Sequence, residues 1–220
     1  MPKKIYLSPS MQKNNIYAYG GTNEMEQCYK ISEYCSTYLK KHGFDVKIAP
    51  KGQSMNTNIQ ESNSWNPDLH ISIHTNALDG SSNGTIVMIY SKDKNNIEPA
   101  QCIYKRVFDV TPGTTRRDIQ ERPDLAELRE TKSIAIYVEC EFHDNLAISK
   151  WIIENTKILG ESIAEGVCDY YGINTNQNEN SINDSLFKVQ VGAYKNRKNA
   201  EKMAEKLKSL GIIDVYINKW

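Results

Sequence analysis

The sequence has no long apolar run. Of its 220 residues, 39% are hydrophobic, but nowhere do about 20 apolar residues follow one another, as a membrane-spanning helix requires. No membrane span is therefore predicted. The first residues also lack the apolar segment of a secretory signal, because polar residues return directly after Ile5–Leu7. We expect the chain as written to be cytoplasmic when synthesised and to act outside the cytoplasm only after release.

Neither sign of charge is in excess, since 27 basic residues balance 27 acidic ones. This balance gives no indication of a nucleic-acid partner, and none is predicted. Cysteine is scarce, odd in number and never in a CxxC pair, which argues against a disulfide framework and against a cysteine zinc site. We predict reduced thiols in the core. The five cysteines are Cys28, Cys35, Cys102, Cys140 and Cys168.

Strand-like and helix-like patterns alternate along residues 1–173. The predicted strands are 4–8, 44–49, 68–76, 85–90 and 134–142, and the predicted helices are 23–43, 97–109 and 145–171. The polar stretch 111–133 is predicted to form turns. This alternation predicts an α/β fold, in which a mostly parallel, twisted sheet carries helices on both faces.

The rest of the chain differs in composition. Residues 174–185 contain almost nothing apolar and predict a linker. Residues 186–220 then predict one small βαβ unit, which is too short to bury a core by itself. From Leu186 onward the chain has eight Lys or Arg against three Asp or Glu, which suits an anionic partner or a solvated helix face equally.

Three residues could serve a hydrolytic metal site. Glu24 begins a predicted helix, His74 lies near the end of its strand, and Glu139 interrupts the apolar strand 134–142. Ligands of parallel sheets bind beyond the carboxyl ends of the strands, where the two strand residues would lie. Each residue also has a structural interpretation: a helix-capping acid, a core histidine, and a carboxylate exposed at a strand end.

Four segments carry a resemblance to a known family. They are Lys4–Ser10, Thr22-Asn-Glu24, Ser72-Ile-His-Thr-Asn-Ala77, and Leu128-Arg-Glu-Thr131 followed by Val138-Glu-Cys-Glu-Phe142. In this order they resemble the zinc-dependent N-acetylmuramoyl-L-alanine amidase type 3 family, which includes endolysins. The resemblance implies hydrolysis of the amide bond between N-acetylmuramic acid and L-alanine in peptidoglycan. It also implies that Glu24 and His74 bind zinc and that Glu139 is the catalytic acid/base.

One departure from the family affects the metal. Met11 stands where the family has its third zinc-binding histidine, and a thioether is a poor zinc ligand. We predict His143 as the substitute ligand, with Gln12 as the alternative and two waters as a third option. His70 lies about 13 Å along the strand from His74, too far to share one metal ion. We expect it to be buried and hydrogen-bonded.

Three further residues could affect catalysis. Asn76 and Arg129 are predicted to contact substrate, although Arg129 could equally form a surface salt bridge. Glu141 shares a strand face with Glu139, so it would either raise the proton affinity of Glu139 or point into solvent.

The C-terminal segment Phe187–Tyr194, with the helix that follows, resembles half of a sporulation-related (SPOR) repeat, a peptidoglycan-binding module. Half a module leaves a sheet edge and a helix face uncovered. We therefore predict a homodimer in which two chains pair their halves. Two other functions remain open at this stage: a non-catalytic peptidoglycan-binding protein, and a zinc peptidase acting on the stem peptide.

Overall fold

A computed structural model describes residues 1–115, 118–175, 191–192, 194, 196–211 and 215. The chain divides into two compact units, Met1–Glu179 and Asn180–Trp220. Most of the predicted linker and most of the two predicted strands of the C-terminal unit fall outside the described residues. Within that unit, the described part is mainly helix α7 (Arg197–Ser209).

The first unit contains a six-stranded sheet with the order β2-β1-β3-β6-β4-β5. Its strands are β1 (Lys4–Pro9), β2 (Asp45–Ile48), β3 (Leu69–Asn76), β4 (Ile86–Ile89), β5 (Ile119–Glu121) and β6 (Ile134–Phe142). All neighbouring strands are parallel except β4 and β6, which are antiparallel. The predicted mostly parallel sheet is thus confirmed.

Six helices accompany these strands in the described part of the first unit. They are α1 (Glu24–Lys41), α2 (Met55–Trp65), α3 (Lys94–Val110), α4 (Ala126–Arg129), α5 (Leu146–Glu154) and α6 (Thr156–Tyr170). Helix α1 begins where its cap predicts, because the side chain of Asn23 accepts a hydrogen bond from the backbone N–H of Glu26 at 3.0 Å. No helix in the described ranges has both the length and the apolar content to cross a membrane.

The two faces of the sheet differ in polarity. One face presents Ile5, Leu7, Ile71, Ile73 and Val138, all fully buried, to the apolar sides of α1, α3 and α6. These contacts form the main core. The other face has the alternate residues of the same strands, which are largely polar, because successive side chains of a strand point to opposite faces.

Helix α2 covers this polar face through hydrogen bonds. Glu61 accepts from the hydroxyl of Tyr6 at 2.8 Å, and the amide nitrogen of Asn58 donates to Ser8 Oγ at 3.1 Å. Helices therefore lie on both faces, as predicted. Most buried side chains of this polar face are hydrogen-bonded, as burial requires, and Glu139 is an exception at its Oε2.

The structure differs from the sequence expectations in three elements. The stretch expected to be turns contains β5 and α4, two elements too short to produce a periodic pattern. The long helix expected after Asn145 is two helices, which meet at Asn155. Helix α3 begins at Lys94, because Asp93 caps it by accepting from the N–H groups of Asn95 and Asn96. All five cysteines are free thiols, and four of them are buried.

Candidate active site

A cavity of about 540 Å³ opens where β1 and β3 end. The loop after β1, the first turns of α2 and the short helix α4 form its walls. The lining residues are Ser8–Asn15, Met55, Asn58, His74, Leu125–Glu127 and Tyr137. This position, beyond the carboxyl ends of parallel strands, is the one that the sequence predicts for a ligand.

His74 lines this cavity, and Glu24 meets it there from a different element. Glu24 is the first residue of α1, and His74 leaves the end of β3. Glu24 Oε1 lies 2.8 Å from His74 Nδ1, and Glu24 Oε2 accepts a hydrogen bond from Asn15 at 2.7 Å. Burial disfavours ionisation of Glu24, but the hydrogen bond and charge of His74 outweigh it, so the pKa of Glu24 is lowered.

The imidazole of His74 is held on three sides. Its Nδ1 faces Glu24, its Nε2 lies 3.7 Å from Glu127 Oε2, and its ring stacks on Tyr137 with the ring centres 4.3 Å apart. Burial would lower the pKa of His74, but the two carboxylates Glu127 and Glu24 outweigh it and raise this pKa to about 10.

Glu139 lies beside His74 on the neighbouring strand, where the two residues are partners in the parallel register of β3 and β6. Its Oε2 is buried and has no hydrogen-bond partner among the described residues. Burial is the main cause that raises the pKa of Glu139 to about 8, and the charge of Glu24 adds to it. A carboxylate with this pKa can exchange a proton near neutral pH, as a general acid/base must.

Family comparison agrees with this geometry. The N-acetylmuramoyl-L-alanine amidase family matches residues 10–169, and the SPOR domain family matches residues 183–220. The chain belongs to the N-acetylmuramoyl-L-alanine amidase family. It is thus an enzyme that hydrolyses an amide bond of peptidoglycan. Members of this family are generally zinc-dependent. Comparison with curated proteins found no match.

The amidase is also similar to solved structures. Cwp6 from Clostridium difficile is 26% identical with a TM-score of 0.69, and the match covers 77% of this chain but 29% of that one. An N-acetylmuramoyl-L-alanine amidase from Clostridium difficile 630 shares the fold at 22% identity and a TM-score of 0.71, covering 78% of this chain and 97% of that chain. The catalytic domain of the CD27L endolysin, which targets the same species, is 25% identical with a TM-score of 0.64, covering 76% and 97%.

The predicted third metal ligands of the amidase have other partners here. His143 stacks on Tyr17, and its Nδ1 lies 2.9 Å from the backbone carbonyl of Thr75. Burial lowers the pKa of His143. Gln12 is exposed, and its amide oxygen accepts from Asn15 at 2.9 Å. Within the described ranges, no group of three His, Cys, Asp or Glu side chains is arranged to hold a metal ion.

Two protein donors nevertheless fit a zinc ion. A carboxylate and an imidazole are ordinary zinc ligands, and those of Glu24 and His74 already converge. The buried, unpartnered Oε2 of Glu139 on the adjacent strand provides the carboxylate that such sites use to move protons. Glu24 and His74 are therefore the two side chains that could hold a zinc ion here, with Glu139 beside them.

The remaining predicted residues have mixed outcomes. His70 is fully buried and hydrogen-bonded to Ser62 Oγ at 2.9 Å, so that prediction is confirmed. Arg129 donates to the backbone carbonyl of Asp124 at 2.8 Å and pairs with Glu130 on the surface. Asn76 accepts a hydrogen bond from the N–H of the next residue at 2.8 Å. The substrate contacts of Arg129 and Asn76 stay predictions.

Glu141 does not point into solvent. It is fully buried, and its Oε2 accepts a hydrogen bond from the backbone N–H of Gly84 at 2.8 Å. It therefore ties the loop before β4 to strand β6. The backbone N–H is a donor that strand pattern alone cannot identify.

Sequence reasoning missed Glu127. This residue of α4 is only 5% exposed, and it accepts a hydrogen bond from the hydroxyl of Ser8 at 2.5 Å. It lies in a stretch that was expected to form turns, where an acidic residue has no special meaning. The only available signal was its position directly before the Leu128-Arg129 pair of the family motif.

Proposed function

We propose that this amidase is zinc-dependent and cleaves the amide bond between N-acetylmuramic acid and L-alanine, with an endolysin-like role in wall lysis. Glu24 and His74 hold the metal, and Glu139 is the general acid/base. The observation that carries this proposal is the 2.8 Å approach of Glu24 to His74, directly beside Glu139 in the strand register. Similarity to the catalytic domain of the CD27L endolysin supports the lytic role.

When bound, zinc polarises the scissile carbonyl and lowers the pKa of a water molecule. Glu139 accepts the proton of the attacking water at its unpartnered Oε2 and donates it to the departing L-alanine nitrogen. The raised pKa of Glu139 suits both halves of this transfer. Tyr137, which stacks on His74, keeps the imidazole in one plane while the bond is cleaved.

The C-terminal unit supports peptidoglycan as the partner, because the SPOR family matches it. The match covers the residues that resemble half a module, and we propose that two chains pair these halves in a homodimer. We also propose that the enzyme is made in the cytoplasm and reaches the wall after release. Its free, mostly buried thiols are typical of proteins from a reducing compartment.

The test combines metal analysis with product analysis. The full chain is purified, its zinc is measured, and purified walls are digested while turbidity is followed. We expect about one zinc per chain, loss of turbidity, and products in which mass spectrometry detects intact lactyl groups and new L-alanine N-termini. A chelator should stop the reaction, and added zinc should restore it.

Glu139→Gln is the matched variant, because it preserves shape and removes the proton acceptor. It should retain zinc and lose activity by about 100-fold or more. Wall binding without hydrolysis by the unmodified chain would contradict the proposal and favour a binding protein. Cleavage of a peptide bond within the stem would instead favour a zinc peptidase.

A further inference from the structure

Glu127 is the buried acid of this site that the mechanism above does not use. It lies between two imidazoles, with Oε1 3.6 Å from His70 Nε2 and Oε2 3.7 Å from His74 Nε2. A carboxylate in such a position is costly unless its surroundings compensate for the lost hydration. An apolar side chain would close the same space without that cost, so the charge calls for an explanation.

Two sets of contacts fix the position of Glu127. From β1, the hydroxyl of Ser8 donates to Glu127 Oε1 at 2.5 Å, and Asn58 of α2 in turn donates to Ser8. From β3, His70 has its Nδ1 2.9 Å from Ser62 Oγ, and its Nε2 lies 3.3 Å from Ser72 Oγ and 3.6 Å from Glu127 Oε1. Strands and helices that form the fold therefore hold this carboxylate in place.

The consequence concerns the orientation of His74. Stacking on Tyr137 fixes the plane of the ring, but it does not determine which edge faces Glu24. A carboxylate at Nε2 favours the rotamer in which Nε2–H points to Glu127, and Nδ1 then faces Glu24. Histidines that bind metals almost always donate their other ring N–H to a carboxylate, a carbonyl or water.

We propose that Glu127 is a positioning residue, which orients His74 so that Nδ1 and Glu24 form the two-donor metal site. This inference rests on the proposed function, since it assigns Glu127 a role in that same site. With only two protein donors, the site depends strongly on the orientation of each. Glu127 thus compensates in part for the missing third ligand.

The experiment compares Glu127→Gln and Glu127→Asp with the unmodified full chain, and Glu130→Gln serves as the control. Glu130 belongs to the same short segment but pairs with Arg129 on the surface. Zinc affinity is measured by competition with a coloured chelator. We expect Glu127→Gln to weaken zinc binding by about 10- to 100-fold, as is usual for partners of metal-binding histidines, and Glu127→Asp to recover part of it.

Kinetics at saturating zinc add a second readout. Glu127→Gln should lower kcat while KM changes by less than about twofold, because a misoriented metal site binds the same substrate. Equal zinc affinity and equal kcat in Glu127→Gln would overturn the proposal. So would an equal loss in Glu130→Gln, which would point to a general effect on the segment.

A metal-free readout separates this inference from the proposed function. The chain has four histidines, so nuclear magnetic resonance of ring N–H groups gives a simple spectrum. We expect a protected Nε2–H signal of His74 in the unmodified protein and its loss in Glu127→Gln. If the unmodified chain binds no zinc, the proposed function fails, and this signal still decides the role of Glu127.

Ser8→Ala provides a milder variant in case Glu127→Gln does not fold. It removes only the hydroxyl that donates to Glu127 Oε1. We expect Ser8→Ala to weaken the His74 Nε2–H signal and to lower zinc affinity by about threefold, which corresponds to one lost hydrogen bond of moderate strength. An unchanged His74 signal together with unchanged zinc affinity would count against the proposal.

Discussion

The sulfur of Met11 accepts a hydrogen bond from the backbone N–H of Met55 at 3.2 Å. Met55 is the first residue of α2, where backbone N–H groups have no partner within the helix. Met11 therefore helps to begin α2 at the wall of the cavity, which both residues line. Met11, which stands where the family has a zinc-binding histidine, thus has a structural contact in this chain.

This relationship predicts that Met11→His strengthens zinc binding. An imidazole at position 11 would add the third nitrogen or oxygen donor that zinc sites of hydrolases generally have. We expect zinc affinity to increase by at least about tenfold, measured by chelator competition on the purified full chain. Thermal stability without zinc should fall slightly, because α2 loses the sulfur acceptor at its first turn.

Met11→Leu is the control for that prediction. It keeps the apolar volume and removes only the sulfur, so it should share the small loss of stability without any gain in zinc affinity. Equal zinc affinity of Met11→His and Met11→Leu would contradict the idea that the loop after β1 can deliver a ligand.

Much of the site follows from local sequence, because it depends on strand period and strand direction. Alternation in β3 places His74 on the polar face, and parallel pairing brings it beside Glu139. The position of Glu24, as the first residue of α1, follows from the helix cap at Asn23. These relationships need only backbone geometry, which short patterns predict well.

The remainder depends on tertiary contacts that no local pattern specifies. Glu127 of α4 reaches the site through its hydrogen bond with Ser8 of β1, which is 119 residues away in the sequence. The direction of His143 depends on the ring of Tyr17, which lies far away in the sequence. Similarly, Glu141 is buried because a loop supplies the N–H of Gly84.

Stability of the metal-free protein should depend on pH through Glu139. Its pKa rises from an ordinary value of 4.5 to about 8 in the folded protein, mainly through burial. Between these pH values the folded state holds a proton that the unfolded state has lost, so the free energy of unfolding falls as pH rises. Above pH 8 the carboxyl is ionised in both states, and no further loss occurs.

Glu139→Gln removes this dependence, because glutamine is neutral throughout. We expect the variant to be more stable than the unmodified protein, with a gap that widens from pH 5 to pH 8 and then stays constant. Thermal unfolding in the presence of a chelator measures it. A gap that is the same at pH 5 and pH 8 would mean that Glu139 ionises normally in the folded protein.

Gly113→Ala tests the buried contact of Glu141. A Cβ atom at Gly113 would lie 1.9 Å from Glu141 Oε1 and 2.6 Å from the backbone nitrogen of Gly84, so the loop or the carboxylate must move. We expect a loss of about 1–3 kcal/mol in the free energy of unfolding, measured with urea. Because Glu141 and Glu139 share strand β6, kcat should fall as well.

The adjacent Thr114→Ala is the control for this variant. Thr114 is exposed, and its backbone N–H donates a hydrogen bond to Asn83 Oδ1. Loss of the side chain leaves that hydrogen bond unchanged. Its urea midpoint and kcat should match those of the unmodified protein. If Gly113→Ala behaves in the same way, the close packing around Glu141 is not a constraint.

The C-terminal unit should make the chain a dimer. No residue of α7 is buried, and Met203, Ala204 and Leu207 lie along one side of this helix at helical spacing, with Leu210 69% exposed just beyond it. Light scattering at micromolar concentration should give twice the mass of one chain, whereas residues 1–179 alone should be monomeric.

Leu207→Lys should dissociate the dimer, because it introduces a charge into the apolar stripe, and Lys206→Ala on the exposed side should not. A monomer for the full chain at these concentrations would rule out the paired module, and the wall-binding unit would then have to act as a single half.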